Sequence, residues 1–401
     1  MALLDPKSLK KEVVAEIDSM SKRLIEISDQ IHANPEVGHK EYETSKLISG
    51  ELEKAGFSVE RHVCGLATSF KATAQGNPGG PTVALLAEMD ALPGIGHGCG
   101  HNIIGTATLG AALALKKIMP KVSGTLVVFG TPAEEAAVDN AGGKVIMIDE
   151  IAEADVAMMV HPSSRTIVEA THIAREALEF EFFGKAAHAA GSAHEGINAL
   201  NAAIHMFTLI DALRQHVKPD VRIHGIITDG GKSPNIVPEH AASRMYVRAK
   251  EKAYLKQVVE KVKKCAEAGA MATGATMKVR NYANTYENTM TNHTLADAMK
   301  KNWESIGVTV QEPEREGSGS SDMGNVSQAV PSIHPYIAIG PEKMPGHSTE
   351  FVKAAASKEG HMGLINAAKG LAMTSTDIFT NPELLKKIKQ EFKEFKERKK
   401  T

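Results

Sequence analysis

Apolar residues recur with helical spacing at the start of the chain. Between Pro6 and Ala33, the positions Val13, Val14, Ile17, Met20, Leu24, Ile27 and Ile31 fall on one face of a 3.6-residue period, which predicts an amphipathic helix. Asn34-Pro35 and Gly38 break that pattern, and a second helix is predicted from about Tyr42 to Ala55, stopped by Gly56. The pattern then changes to short, continuous apolar runs: Thr82–Ala87 (TVALLA), Thr125–Phe129 (TLVVF), Val156–Val160 (VAMMV) and Tyr336–Ile339 (YIAI). A helix rich in small residues, Ile103 to Met119, separates the first two. Continuous apolar strands alternating with helices predict an α/β domain whose central, mostly parallel sheet is covered on both faces.

The middle of the chain has a different rhythm. Ala177–Phe183 (ALEFEFF) alternates, as a strand with one wet face does. A helix follows from about Glu195 to Gln215, then strands at Val221–Ile227 and Ala242–Arg248, a helix at Tyr254–Ala272 and a strand at Thr276–Tyr282. The order βαββαβ predicts a small α+β unit with an exposed sheet edge. It is placed as an insert at residues 171–285, with 1–170 and 286–401 forming one discontinuous domain.

The chain has 401 residues, which suits two domains. Apolar residues at 42% and charged residues at 23% are the balance of a soluble globular protein. The net charge of -2 gives no reason to expect nucleic acid or an anionic membrane as a partner. The basic run Lys386–Lys400 is interleaved with Glu391, Glu394 and Glu397 and reads as the solvated face of a terminal helix. The first residues, MALLDPKSLKKEVV, lack a signal-peptide core, and no apolar run approaches the ~20 residues of a membrane span. Three cysteines, Cys64, Cys99 and Cys265, fit a reducing compartment without a disulfide framework, so a cytoplasmic location is expected.

In open α/β sheets, ligands bind beyond the carboxyl ends of the strands. Each buried strand here is followed by residues able to bind metal or move protons. TVALLA leads to Glu88-Met89-Asp90 and the loop Gly96-His97-Gly98-Cys99-Gly100-His101-Asn102. TLVVF leads to Pro132-Ala133-Glu134-Glu135, VAMMV to His161-Pro162, and YIAI to Gly346-His347-Ser348. A glycine-rich loop lets Cys99 and His101 face one centre; His97 is the competing ligand, ranked for a supporting or structural role. Adjacent carboxylates point in different directions, so one of Glu134 and Glu135 can bind metal while the other acts as general base. His161 and His347 complete a donor set of thiolate, imidazoles and carboxylate that suits zinc and tolerates manganese or nickel. Five donors exceed one tetrahedral site, which points to two divalent ions sharing a ligand and a water.

At these residues the chain resembles the M20 family of metallopeptidases and amidohydrolases, in the branch whose metal loop reads H-x-C-G-H-[DN]. AEMDALP, GIGHGCGHN, PAEE, the lid segment Gly184–Ala189 (GKAAHA), SPNIVP, SSDMGNVS and the late Gly346-His347-Ser348 carry the resemblance across nearly the whole chain. Within the branch, the chain is most similar to the subgroup of aminobenzoyl-glutamate hydrolases and dipeptidases of basic β-alanyl dipeptides. The resemblance implies a zinc-peptidase-like catalytic domain in which Cys99, His101, Glu135, His161 and His347 bind two metal ions and Glu134 is the general base. It implies that the insert is a lid and dimerisation domain, that His188 stabilises the oxyanion across a homodimer, and that Asn235 and Arg248 contact the substrate carboxylate. Many family members carry His-x-Asp after the first strand, with the His on metal; here the segment is Glu88-Met89-Asp90, and Asp90 is assigned to orienting a ligand.

The expected activity is metal-dependent hydrolysis of a small N-acyl amino acid or dipeptide. Three other readings are carried alongside it: a metal-binding protein without catalysis, which the intact Glu134 opposes; a hydrolase using Cys99 as nucleophile; and a partner-dependent component of an aminobenzoyl-glutamate-type hydrolase complex.

Overall fold

A computed structural model describes residues 5–312 and 319–398. The chain divides into two units. The first comprises the described residues of Met1–Thr171, Thr289–Gly317 and Asn325–Thr401, the second those of His172–Asn288 and Ser318–Gly324. The strands in chain order are β1 (Ser58–Arg61), β2 (Phe70–Gln75), β3 (Asn77–Glu88), β4 (Ser123–Thr131), β5 (Val156–Met158) and β6 (His161–Ser163) in the first unit. The second unit holds β7 (Ala174–Phe183), β8 (Arg222–Asp229), β9 (His240–Ala249) and β10 (Thr276–Tyr286), and the first resumes with β11 (Ser332–Ile333) and β12 (Tyr336–Ala338).

The first unit is built on a six-stranded sheet of order β1-β2-β4-β3-β5-β11. Pairs β3–β4, β3–β5 and β5–β11 are parallel; β1 and β2 form an antiparallel edge. The YIAI run does not join this sheet. It forms β12, which pairs in parallel with β6 alone, and the short β11 takes the place beside β5. Pro335, between β11 and β12, has no N–H to donate, so the ladder breaks there and resumes after it in the same parallel register, with Ser332 opposite Ala157 and Tyr336 opposite His161.

The helix Pro6–Ala33 begins where the Asp5 side chain accepts the Lys7 N–H at 3.1 Å, with Pro6 in the first turn. Its inner face buries Leu9, Val13, Ile17, Leu24, Ile27 and Ile31. The helix His101–Ile118 is buried along nearly its whole length against β3 and the helices Pro6–Ala33 and Lys358–Thr380. Gly105 permits that closeness: a Cβ there would meet Ile48 Cδ1 at 2.8 Å and the Glu88 carbonyl oxygen at 3.0 Å. By length and composition the stretch His101–Lys121 would suffice for a membrane span, against the sequence expectation; its small residues raise the mean hydropathy, and 78% of its apolar window is buried inside the protein.

The second unit has the βαββαβ order, folded as an antiparallel sheet β10-β7-β9-β8. Helices Ala199–Leu213 and Lys252–Thr273 cover one face through Met206, Ile210, Leu255, Val258 and Val262, which pack on Leu178, Phe180, Phe182, Met245 and Val247. β8 and β10 are the two outer strands, and Ile226 on β8 is 64% exposed. This unit extends to Asn288 and gains residues 319–324, which the sequence pattern leaves with the flanking halves. The reason is local pairing: the Ile173 N–H donates to the Gly319 carbonyl at 2.9 Å, and Gly324 packs directly on the Glu287 carbonyl.

Candidate metal centre

The donors of the first unit arrive from separate strand ends. β3 ends at Glu88 and leads to Asp90; β4 ends at Thr131 and leads to Glu134 and Glu135; β6 begins at His161. Between Cys99 and His101, Gly100 adopts φ +72, and a Cβ there would stand 2.6 Å from Pro162 Cγ. Only glycine lets this loop close on the His161-Pro162 pair. Ala133 also has positive φ (54°), and its N–H donates to Glu41 Oε1 at 2.8 Å, which fixes the turn that presents Glu134 and Glu135. His347 has φ 57° and is tied to the loop by its N–H, which donates to the Gly98 carbonyl at 3.0 Å.

Within the first unit, three sets of donor atoms each lie within 4.8 Å of one another: Cys99–His101–His161, Cys99–Glu135–His347 and His101–Glu134–Glu135. Cys99 belongs to the first two, so two cation-sized groupings share one sulfur. His347 is the outer member, its side chain 60% exposed and 3.8 Å from Glu135 Oε1. His101 is fully buried, with Nε2 4.0 Å from the same oxygen. His97 joins none of these groups; it is buried and stacks on His32 at 6.1 Å.

Asp90 organises the centre from behind. Its Oδ1 contacts His101 Nδ1 at 3.1 Å and accepts the Glu134 N–H at 3.2 Å, while Oδ2 accepts the Glu135 N–H at 2.9 Å. This places the ring proton of neutral His101 on Nδ1 and leaves the Nε2 lone pair for another partner. His161 is arranged alike: Nδ1 lies 2.6 Å from the Pro162 carbonyl, an acceptor, so Nδ1 carries the proton.

Charge at the centre is unbalanced without a cation. Burial opposes charging of His101, but Glu88, Asp90 and Glu135 outweigh it and push its pKa up to about 10. Burial lowers His161 to about 4 against the pull of Glu88. Burial, then the neighbouring Glu135, raise the Cys99 thiol well above its ordinary range. Glu88 Oε2, His101 Nε2 and Glu135 Oε1 are buried and make no hydrogen bond. Buried polar atoms are rarely left so; His101 Nε2 and Glu135 Oε1 fit divalent cations, one in each group that contains Cys99, which would displace the protons and accept these lone pairs.

Sequence reasoning passed over several residues. Lys144, fully buried, donates from Nζ to Glu88 Oε1 at 2.5 Å. His334 packs edge-on against His161 at 5.5 Å. No local signal marks either one, because their partners are distant in sequence.

His188, Asn235 and Arg248 belong to the second unit. Exposed His188 accepts the N–H groups of Ala190 and Gly191 at Nδ1, at 3.2 and 3.0 Å, so its neutral ring carries the proton on Nε2. Its segment is bridged to that of Asn235, whose carbonyl accepts the Ala189 N–H at 3.0 Å. Arg248 donates to Ser320 Oγ at 3.3 Å and is opposite Arg175 in the β7–β9 register. Arg175, another residue passed over, is buried, with its guanidinium 3.8 Å from the Tyr286 ring centre.

A model of the family described as Peptidase family M20/M25/M40 matches residues 84–369. The chain is 36% identical over 403 positions to the Xaa-Arg dipeptidase of Mus musculus, covering 96% of this chain and 92% of that protein. It is 29% identical to one of the subunits of the p-aminobenzoyl-glutamate hydrolase of Escherichia coli strain K12, covering 94% and 93% respectively. Among solved structures, an aminobenzoyl-glutamate utilization protein from Klebsiella pneumoniae aligns with a TM-score of 0.72 at 18% identity, over 91% of this chain and 97% of that one. A dinuclear metal-binding peptidase of the M20 family from Bacillus subtilis aligns with a TM-score of 0.61 at 20% identity, over 90% and 99%. At these identities the two structures speak for the fold.

Proposed function

Because this chain belongs to peptidase family M20/M25/M40 and is a hydrolase of amide or peptide bonds, we propose that it is a two-metal dipeptidase or N-acyl amino acid hydrolase, working as a cytoplasmic homodimer. The observation that carries this reading is the sharing of Cys99 by two donor groups, with Glu134 beside them. Cys99, His101 and His161 would hold one ion, and Cys99, Glu135 and His347 the other, with zinc or manganese the metals this donor set suits. Bound there, a pair of divalent ions polarises the scissile carbonyl and lowers the pKa of the attacking water.

Glu134 accepts the proton of that water and passes it to the leaving amine nitrogen. His188 donates its Nε2–H to the developing oxyanion, the tautomer that its Nδ1 contacts enforce. Asn235 and Arg248 hold the substrate carboxylate, Arg248 by charge and Asn235 by its amide. The free outer side of β8, with Ile226 exposed, supports pairing of two copies through the second unit. The higher identity to the mouse dipeptidase favours a dipeptide over aminobenzoyl-glutamate as substrate.

The test is Glu134→Gln, assayed on dipeptides, N-acyl amino acids and aminobenzoyl-glutamate with added Zn²⁺ or Mn²⁺. The variant should keep its metal and lose ~100-fold or more in kcat, the scale of general-base loss. Wild-type turnover at unchanged metal content would remove Glu134 from this role.

A further inference from the structure

Glu88 and Lys144 form a fully buried ion pair at the edge of the donor cluster, and nothing assigned so far uses it. Taking both charges out of water is expensive, and such a pair is rarely kept for stability alone. One carboxylate oxygen, Oε1, accepts from Lys144 at 2.5 Å. The other, Oε2, lies 3.3 Å from His101 Nε2.

That 3.3 Å contact is not a hydrogen bond. Both atoms are buried, and neither has a hydrogen-bond partner. In the neutral ring that a bound cation would impose, the Asp90 contact keeps the His101 proton on Nδ1, so Nε2 presents a lone pair, as does Oε2. Without a cation the charge of His101 answers that of Glu88; with one bound, two lone-pair atoms stand side by side, placed to share it. Two donors each about 2.1 Å from one tetrahedral ion stand roughly 3.4 Å apart, close to the separation seen here.

The surroundings hold the pair in this position. The Gly142 N–H donates to the Ala133 carbonyl at 2.7 Å and the Gly143 N–H to the Pro132 carbonyl at 3.1 Å. A Cβ on Gly143 would stand 2.1 Å from the Pro132 carbonyl oxygen. The backbone preceding Lys144 is thus fastened to the turn that presents Glu134 and Glu135. A Glu88 carboxylate oxygen also comes within 4.8 Å of one of Glu134.

We propose that Glu88 is a further metal-binding residue of this centre, giving Oε2 to the ion that His101 Nε2 binds while Lys144 holds Oε1. Lys144 is then a positioning residue with two effects. It fixes the carboxylate to one-oxygen binding, and it cancels the carboxylate charge, so the pair adds an oxygen donor without adding net charge. A centre that already contains a thiolate and Glu135 keeps its affinity for divalent ions from being raised further by a third anion.

This inference rests on the two-metal reading above, and the test separates the two. The full-length protein is stripped with chelator and titrated with Co²⁺ in competition with a chromophoric chelator, and the visible Co²⁺ spectrum is recorded. Glu88→Gln/Lys144→Met removes both charges together, so neither is left buried alone. Glu88→Asp keeps the charge and the Lys144 partner but retracts the oxygen by one methylene. Both should bind one of two ions ~10-fold or more weakly, with a changed Co²⁺ spectrum, while the second ion binds as in wild type. Wild-type affinity and spectrum for both ions in whichever variants melt cooperatively would overturn the role of Glu88. Failure of the wild type itself to bind two ions would instead overturn the two-metal reading, and this inference with it.

Discussion

Replacing Asp90 with Asn changes one atom and should disable the centre. Three N–H groups converge on two carboxylate oxygens: His101 Nδ1 and the Glu134 N–H on Oδ1, and the Glu135 N–H on Oδ2. An asparagine keeps one acceptor. With its carbonyl at the Oδ1 position, its NH₂ faces the Glu135 N–H donor to donor, leaving a buried N–H unmet at about 1–3 kcal/mol. With the amide reversed, the NH₂ donates to His101 Nδ1, and the ring proton moves to Nε2, the atom a metal needs. Either orientation weakens metal binding. Loss of a residue that orients a ligand lowers affinity on the order of 10–100-fold, or about 1.4–2.7 kcal/mol at 1.36 kcal/mol per tenfold, which agrees with the hydrogen-bond figure. Asp90→Asn should therefore bind Zn²⁺ ~10–100-fold more weakly in a chelator competition at pH 7, with the metal-stripped variant still melting cooperatively. Undiminished affinity in a folded Asp90→Asn protein would refute the argument that Asp90 sets the His101 tautomer.

Three further outcomes are expected. Burial, then Asp90, raise Glu41 to about 7; a folded pKa above the unfolded 4.5 gives stability that is present below about pH 4.5 and lost as pH rises through 7, roughly 3 kcal/mol in all. Glu41→Gln should flatten that loss when urea midpoints are compared at pH 5 and pH 8, and parallel curves for the two proteins would exclude Glu41 as its source. Chelation should abolish turnover, Zn²⁺ or Mn²⁺ should restore it, and Cys99→Ala should lower bound metal by elemental analysis where exposed Cys64→Ala does not; activity surviving chelation would favour Cys99 as a nucleophile. His188→Ala and Glu134→Gln homodimers should each be nearly inactive, whereas exchange of protomers should regain activity in hybrids verified by mass, since one of their sites has both residues; an inactive hybrid would end the shared-site idea.

In the first unit the strands legible in the sequence are those buried on both faces. TVALLA and TLVVF lie at the centre of the sheet, as β3 and β4, where solvent leaves no alternation to confuse them. β2 (FKATAQ) alternates buried with half-exposed positions and borders a short polar strand, so no continuous apolar run marks it. YIAI reads as a central strand because its composition is right, but Pro335 interrupts the ladder just before it, and its only parallel neighbour, β6, is too short to carry it into the main sheet. The residues grouped at the centre stood out because glycines and strand ends frame them. Lys144 did not, because its meaning lies in Glu88, 56 residues away along the chain.

The half-buried Cys99 has a consequence for a chain that has not yet met its metal. A thiol held far above its ordinary pKa exposes little thiolate, and thiolate is the form that peroxides and electrophiles attack. Without metal, this sulfur is therefore chemically quiet toward such reagents. An ion bound as proposed would cover the sulfur it uses as a ligand, so at neither stage would the atom common to both donor groups be left as a bare nucleophile. Burial first, and the carboxylate of Glu135 second, keep the thiol in that quiet form.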